Sequence, residues 1–140
     1  MDTNNKDITI IVTGGLGFIG SHFVELALAN GYRVVNIDKV TYASDIKMDG
    51  HFCSGYPDRY VFIKEDIVDL KELPYGKYII HFAAESHVDN SIRDSDIFMR
   101  SNVLGTQNLL NILVDARRRN INHAWSVELP TFVYVSTDEV

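Results

Sequence analysis

The sequence contains one cysteine, three prolines and no long apolar run, and these scarcities exclude several classes of protein. Cys53 has no second cysteine to pair with, which rules out an intrachain disulfide and a cysteine-based metal cluster. No segment approaches the ~18 apolar residues that a membrane-spanning helix needs. The N-terminal segment MDTNNKD is polar and acidic, unlike a secretory signal. We therefore expect a soluble, cytoplasmic protein with no membrane contact and no metal site.

Positive charge is also scarce. Thirteen lysines and arginines against nineteen aspartates and glutamates give a formal net charge of −6, which argues against nucleic acid as a partner. The only basic cluster, residues 117–119, lies near the end of a predicted helix, where it complements the helix dipole; phosphate binding is the alternative. With 46% hydrophobic and 23% charged residues, the chain fits one globular domain spanning residues 1–140.

Short apolar runs alternate with segments of helical periodicity, which is typical of an α/β fold with a parallel sheet. The predicted strands are 8–13, 33–38, 60–64, 77–83 and 131–136. The predicted helices are 18–30, 67–73 and 94–120, the last with a break near 99–102. The connection 39–59 shows little periodicity. Because right-handed crossovers dominate, we expect a doubly wound, Rossmann-like sheet with strand order 3-2-1-4-5.

A glycine motif, Gly14-x-x-Gly17-x-x-Gly20, joins the first strand to the first helix. The first glycine allows a tight turn, the second lets the backbone approach a pyrophosphate, and the third lets helix and strand pack closely. Asp38 follows at the end of the second strand, eighteen residues after the last glycine, where a carboxylate accepts hydrogen bonds from ribose hydroxyls. The pattern predicts a dinucleotide-binding site.

The carboxylate of Asp38 favours NAD over NADP. A phosphate on the ribose would meet it at close range, and two like charges ~4 Å apart repel by about 4 kcal/mol at an effective dielectric of about 20. The neighbouring Lys39 offsets part of that repulsion.

Three further positions have two interpretations each. Asp66 follows the third strand, where an acid meets the adenine amino group or caps a helix beginning at Ile67. Ala83 and Ala84 end the fourth strand, where small side chains permit either close approach of a cofactor or tight packing of helix on strand. His81, inside that strand, is expected to be structural.

Several longer stretches resemble one enzyme family. They are TGGLGFIGSH (13–22), DKVTYAS (38–44), HFAAESHVDNSI (81–92), SNVLGTQNLL (101–110) and STDEV (136–140). Together they resemble the extended short-chain dehydrogenases/reductases and, within them, the nucleotide-sugar 4,6-dehydratases. The resemblance covers nearly the whole chain. It implies NAD as cofactor and a nucleotide-activated glucose as substrate, dTDP-glucose before UDP-glucose.

The resemblance also implies the chemistry of the last residues. In the family, NAD⁺ removes hydride from sugar C4, water is eliminated across C5 and C6, and hydride returns to C6. Elimination needs one carboxylate as base and one carboxylic acid to protonate the departing hydroxyl. Glu139 would take the C5 proton, Asp138 would protonate the C6 oxygen, and Thr137 would hydrogen-bond the C4 oxygen. Adjacent acids on a strand point to opposite faces, so the strand has to end near Thr137.

Further contacts follow from matching positions. The resemblance assigns cofactor contacts to Phe18, Ile19, Lys39, Thr41, Asp66, Ile67, Phe82, Ala83, Ala84, Ser86, Ser101 and Ser136. It places His87 beside the sugar, although a histidine bonded to backbone is an equal alternative.

The chain departs from the family pattern in three places. Ser44-Asp45 replaces a common Gly-Asn, and Asn90 replaces a frequent arginine. The family's Tyr-x-x-x-Lys pair, which starts C4 oxidation from a helix after strand five, is missing. The only match to that spacing, Tyr60 with Lys64, lies on predicted strand three. We therefore do not expect these residues to catalyse dehydration alone.

The long helix pairs with a partner subunit in the family. We accordingly expect an apolar patch at Val103, Leu110 and Leu113, and a homodimer or another self-associated form.

Two alternative functions remain. The chain could be a non-catalytic dinucleotide-binding module, or a relative of the UDP-sugar epimerases and decarboxylases. The paired acids Asp138 and Glu139 argue against both, because neither function requires two carboxylates at that place.

Overall fold

The fold is built on a parallel sheet of five strands. The computed structural model describes residues 5–85, 95–119 and 128–136. The strands are β1 (Thr9–Thr13), β2 (Arg33–Ile37), β3 (Tyr60–Ile63), β4 (Tyr78–His81) and β5 (Thr131–Tyr134). Every neighbouring pair is parallel, and the order across the sheet is β3-β2-β1-β4-β5. The predicted strand order is confirmed, with strand boundaries within two residues of the prediction.

Helices connect the strands. They are α1 (Phe18–Ala29), α2 (Ile46–Gly55), α3 (Ser95–Phe98), a π-helical segment (Met99–Gly105) and α4 (Thr106–Arg119). After α1, Gly31 adopts a φ of +92°, as expected for a glycine that ends a helix. The predicted break in the long helix is present as the π-helical segment, which carries Ser101 inward to a buried position.

The core has two layers, one on each face of the sheet, as alternation along β1 requires. Ile11 packs in one layer, whereas Ile10 and Val12 pack in the other. The first layer contains Ile11, Ile37, Ile67, Leu70, Leu73, Ile79, Leu109, Leu113 and Ala116. The second contains Ile10, Val12, Val24, Ala27, Leu28, Val34, Phe52 and Tyr60. Both faces are covered, which leaves the carboxyl ends of the strands as the open edge for a ligand.

Two local predictions are wrong. Residues 39–59 are not an irregular connection throughout, since α2 lies within them; Asp45 caps this helix by accepting from Lys47 N at 3.0 Å. Phe52 is its only buried residue, so its sequence has almost no helical periodicity. Residues 67–73 form no helix. Asp66 accepts from Val68 N at 3.0 Å and closes a single turn instead.

The apolar faces of α4 are also arranged differently from the prediction. The buried stripe is Leu109, Leu113 and Ala116, with i, i+4, i+7 spacing. Leu113 therefore belongs to the core and not to an exposed patch. Val103 and Leu110 remain 47% and 44% exposed, as expected.

Candidate nucleotide-binding site

The glycine turn lies between β1 and α1, and the structure separates the roles of its three glycines. Gly14 has a φ of +73°, and a Cβ there would lie 2.7 Å from Ala83 N. A Cβ on Gly20 would collide with the carbonyl oxygen of Gly14. On Gly17, in contrast, a Cβ would meet only that oxygen, at 3.4 Å, which is ordinary contact. The fold therefore does not require glycine at position 17. The close approach of a ligand is the best explanation for a residue without a side chain here.

The N-terminus of α1 faces the same opening. Gly17 is its N-cap residue, and no side chain of the described residues caps the helix. The first backbone amides of a helix, together with its dipole, form a binding site for an anion such as a pyrophosphate. The side chains of Phe18 and Ile19 are 82% and 62% exposed at this end.

Asp38 lies directly after β2 and is only 7% exposed. Its Oδ2 accepts from Leu16 N at 3.0 Å, and its Oδ1 accepts from Val40 N at 2.8 Å and from Ser44 Oγ at 3.1 Å. Val40 has a φ of +61°, a strained conformation for a β-branched residue, and in it the amide reaches the carboxylate. A carboxylate has about four acceptor sites, so three donors fix its orientation and leave one for a ligand.

A series of buried hydrogen bonds fixes the position of the glycine turn. Asn36 accepts from Gly15 N at 3.0 Å and donates to Tyr60 Oη at 3.0 Å. Tyr60 in turn donates to Asp49 Oδ1 at 3.0 Å, and burial raises the pKa of this phenol. These hydrogen bonds link β2, β3 and α2 to the turn. No motif in the sequence pointed to it.

A second series of hydrogen bonds connects β1 to the π-helical segment through His81. Thr106 Oγ1 donates to the carbonyl of Asn102 at 2.9 Å, so its oxygen has to accept from His81 Nε2 at 2.9 Å. His81 Nδ1 is then the acceptor for the Thr13 hydroxyl at 2.5 Å. Asn102 exchanges two further hydrogen bonds with the backbone of Glu85. The ring is fully buried, as expected of a structural histidine.

The stability of the fold is expected to fall between pH 6.5 and pH 4 because of His81. Burial lowers the pKa of this histidine from 6.5 to about 4, so the unfolded chain binds the proton first as pH falls. The neutral ring contributes its full stabilisation above pH 6.5, and that contribution, roughly 3 kcal/mol, disappears on the way to pH 4. Urea unfolding across this range measures the slope. The His81→Gln variant should lose most of it, and equal slopes in both proteins would contradict the assignment.

A cleft opens at the carboxyl ends of the strands. It brings together most of the predicted cofactor residues, which are Gly14, Gly17, Asp38, Lys39, Thr41, Asp66, Ile67, Phe82, Ala83, Ala84 and Ser101. Gly20, Phe18 and Ile19 lie beside it without lining it, and Ser136 is exposed after β5. Ser86, His87, Thr137, Asp138 and Glu139 lie outside the described residues.

The positions with two interpretations, Asp66, Ala83 and Ala84, all line the cleft, and no helix begins at Ile67 for Asp66 to cap. Asp66 caps a turn and also lines the cleft. Ala83 packs against Gly14 and lines the cleft as well. Sequence reasoning missed Ile37, Ala43, Ser44, Glu65 and Glu85. Each of the five lies within three residues of a predicted cofactor residue. Their closeness in sequence to those residues, at the strand ends, is the signal that could have identified them.

Residues 5–85, 95–119 and 128–136 contain no group of three or more histidine, cysteine, aspartate or glutamate side chains able to hold a metal ion. Within the same ranges, no helix has the length and apolar character to cross a membrane.

Comparison with known proteins gives consistent matches. The family model for GDP-mannose 4,6 dehydratase matches residues 11–140. The dTDP-glucose 4,6-dehydratase of Xanthomonas campestris pv. campestris (strain B100) is 39% identical over 145 residues, covering 94% of this chain and 38% of the relative. A trifunctional UDP-glucose 4,6-dehydratase of Arabidopsis thaliana is 35% identical over 148 residues, covering 99% of this chain and 20% of the relative.

Two solved structures show the same fold. The UDP-glucose-4-epimerase of Stenotrophomonas maltophila, with bound NAD and formylated UDP-arabinopyranose, has a TM-score of 0.76 and 27% identity. The dTDP-glucose 4,6-dehydratase of Bacillus anthracis str. Ames, in complex with NAD, has a TM-score of 0.67 and 32% identity. Each comparison covers 95% of this chain and 38% of the solved one. The chain thus spans about two fifths of the Xanthomonas relative and of the two solved chains, and one fifth of the Arabidopsis relative.

Proposed function

Because the chain belongs to the GDP-mannose 4,6-dehydratase family, we propose that it is the NAD-binding part of a nucleotide-sugar 4,6-dehydratase. The observation that carries the proposal is the cleft, in which an open glycine turn and a fixed carboxylate lie at adjoining strand ends. Two solved proteins of the same fold contain NAD, which supports this choice of cofactor.

The residues present fit an adenine dinucleotide. The pyrophosphate would lie over Gly17 and the first amides of α1, at Phe18 and Ile19, where no described side chain caps the helix. The adenosine ribose would donate to Asp38, whose remaining acceptor site is unused by the described residues. The adenine would lie beside Asp66 and Ile67, which line the same cleft.

The proposed reaction converts the nucleotide-activated glucose to a 4-keto-6-deoxy sugar with loss of water. NAD, when bound, accepts hydride from C4 and returns it to C6. Glu139 would remove the C5 proton, Asp138 would protonate the departing C6 oxygen, and Thr137 would hold the C4 oxygen. The identity to dTDP-glucose 4,6-dehydratases supports dTDP-glucose as substrate, with UDP-glucose second because of the Arabidopsis relative.

Joining this chain to the C-terminal part of the Xanthomonas relative tests the proposal. The chimera would supply the Tyr-x-x-x-Lys helix and the sugar-nucleotide region, which in the family follow the part matched by residues 1–140. We expect it to remove one water from dTDP-glucose, measured by mass spectrometry, and we expect residues 1–140 alone to bind NAD⁺ without turnover.

Matched variants of the chimera separate the candidate functions. Glu139→Gln and Asp138→Asn should each lower turnover by about 10²–10⁴-fold, the usual contribution of an acid or base, with NAD⁺ affinity retained. A chimera that binds NAD⁺ but leaves dTDP-glucose intact would favour the non-catalytic module. Epimerisation without loss of water would favour the epimerase relatives, whose fold the chain shares.

Self-association is expected through the outer face of the long helix. Val103, Leu110 and Val114 are 47%, 44% and 42% exposed, and apolar side chains grouped in this way favour burial against a second copy. Sedimentation velocity should show a dimer at high protein concentration, and Leu110→Glu should shift it towards monomer. Leu26→Glu, on α1, is the control. A wild-type monomer at all concentrations would contradict this prediction.

A further inference from the structure

Lys39 is held by side chains from three other parts of the cleft. Its Nζ donates to Ser101 Oγ at 3.0 Å and lies 3.7 Å from Glu85 Oε1 and 3.9 Å from Asp66 Oδ2. The side chains of Glu85 and Asp66 are only 13% and 20% exposed, so salt screens these pairs less than pairs on the surface. The ammonium is therefore neutralised by the walls of the cleft.

This arrangement bears on the choice between NAD and NADP. Lys39 directly follows Asp38, and an unpaired ammonium at that place would attract a 2′-phosphate. The charged side chains that line the cleft are Asp38, Glu65, Asp66, Glu85 and Lys39. Lys39 is thus the one cationic side chain among the described lining residues, and its ammonium is already paired with carboxylates.

Of the two acids that hold Lys39, Glu85 is the one dedicated to it. Asp66 also closes the turn through Val68 N and lies 3.7 Å from Arg100 Nε. The carboxylate of Glu85 has Lys39 as its only ion-pair partner among the described residues. Asn102 fixes the backbone of Glu85 on both sides, so its side chain starts from a defined position.

We propose that Glu85 determines cofactor specificity by holding the ammonium of Lys39 away from the ribose acid, so that the site excludes a 2′-phosphate. This inference rests on the proposed binding of an adenine dinucleotide. It assigns the discrimination to a residue far along the chain from the glycine motif and from Asp38.

Calorimetric titration of the Glu85→Gln variant with NAD⁺ and NADP⁺ tests the proposal. Glutamine keeps the size of the side chain and the backbone bonds with Asn102, and it removes only the charge. We expect the ratio of the Kd for NADP⁺ to the Kd for NAD⁺ to fall about tenfold, because the released ammonium can pair with the phosphate.

Two further variants distinguish release of Lys39 from a change in net charge. Glu65→Gln removes the same charge from the cleft, but Glu65 forms no ion pair with Lys39 among the described residues, so the ratio should change less than about threefold. The charge-neutral double variant, Glu85→Gln with Lys39→Met, should return the ratio to that of the wild type. Circular dichroism verifies the fold of each.

The outcomes separate the two proposals. If the wild type binds NAD⁺ and Glu85→Gln leaves the ratio unchanged, the role of Glu85 is overturned and the proposed function stands. If Glu65→Gln changes the ratio as much as Glu85→Gln does, the role of Glu85 is also overturned, because the loss of one negative charge from the cleft then explains the change. If the wild type binds neither nucleotide, the proposed function fails and this inference fails with it.

Discussion

Replacing Gly17 by alanine is expected to weaken NAD⁺ binding about a hundredfold and to leave the protein folded. The added methyl group meets the carbonyl oxygen of Gly14 at 3.4 Å, an ordinary contact, and the φ of −71° at this position suits alanine. The methyl group would, however, stand where the pyrophosphate has to approach the helix N-terminus. Losing one or two charge-assisted hydrogen bonds costs about 3 kcal/mol, which corresponds to that factor.

Replacing Gly20 by alanine should instead lower the stability of the fold. Its Cβ would collide with the backbone oxygen of Gly14, which cannot move aside as a flexible side chain can. Overpacking of this kind costs about 1–3 kcal/mol of folding free energy, and more where backbone has to shift. Urea unfolding and calorimetric titration of both variants provide the comparison. A Gly17→Ala protein with wild-type affinity, or a Gly20→Ala protein of wild-type stability, would contradict the roles assigned to the two glycines.

Replacing Asp38 by asparagine should reduce both affinity and stability. The carboxylate accepts from three donors, and an amide offers an oxygen on one side only. If that oxygen serves Val40 and Ser44, the amide nitrogen faces the N–H of Leu16 and leaves it without an acceptor. A buried donor left in this state costs about 1–3 kcal/mol. Loss of the charged acceptor for the ribose should weaken NAD⁺ binding by about ten- to a hundredfold.

Ser44→Ala is the matched control for this substitution. It removes one of the three donors to Asp38, and with it the acceptor of Thr41 N, but leaves the carboxylate and the amides of Leu16 and Val40 in place. We expect stability to fall by about 1 kcal/mol and NAD⁺ affinity to change less than tenfold. Calorimetry and urea unfolding of both variants test this. Equal losses in the two proteins would mean that the loop conformation, and not the acid, binds the ribose.

The sheet was predictable because its signals are local. Each strand is a short apolar run, the glycine motif and Asp38 mark the ends of β1 and β2, and the rule of right-handed crossovers then gives the strand order. The position of the cleft follows from the same facts, since the carboxyl ends of parallel strands share one edge.

The remaining features depend on contacts between distant parts of the chain. Helix α2 rests on one buried residue, Phe52, so its sequence resembles a loop. The series of hydrogen bonds through His81 joins residues from three separate segments of the sequence. Spacing along the sequence does not predict which of these residues will meet. Lys39 could be recognised beside the ribose acid, but its pairing with Glu85 and Ser101 appears only when β2, β4 and the π-helical segment meet.

The most direct test of the central claim is a titration of the isotopically labelled chain with NAD⁺, followed by two-dimensional amide NMR. We expect saturable chemical-shift changes at the amides that surround the cleft, namely Gly14, Gly15, Gly17, Phe18, Ile19, Lys39, Thr41, Ile67, Ala83 and Ala84. The amides of Gly50, Gly55 and Tyr75, away from the cleft lining, should move little. No saturable change, or changes centred away from the strand ends, would contradict the assignment of this cleft as a dinucleotide site.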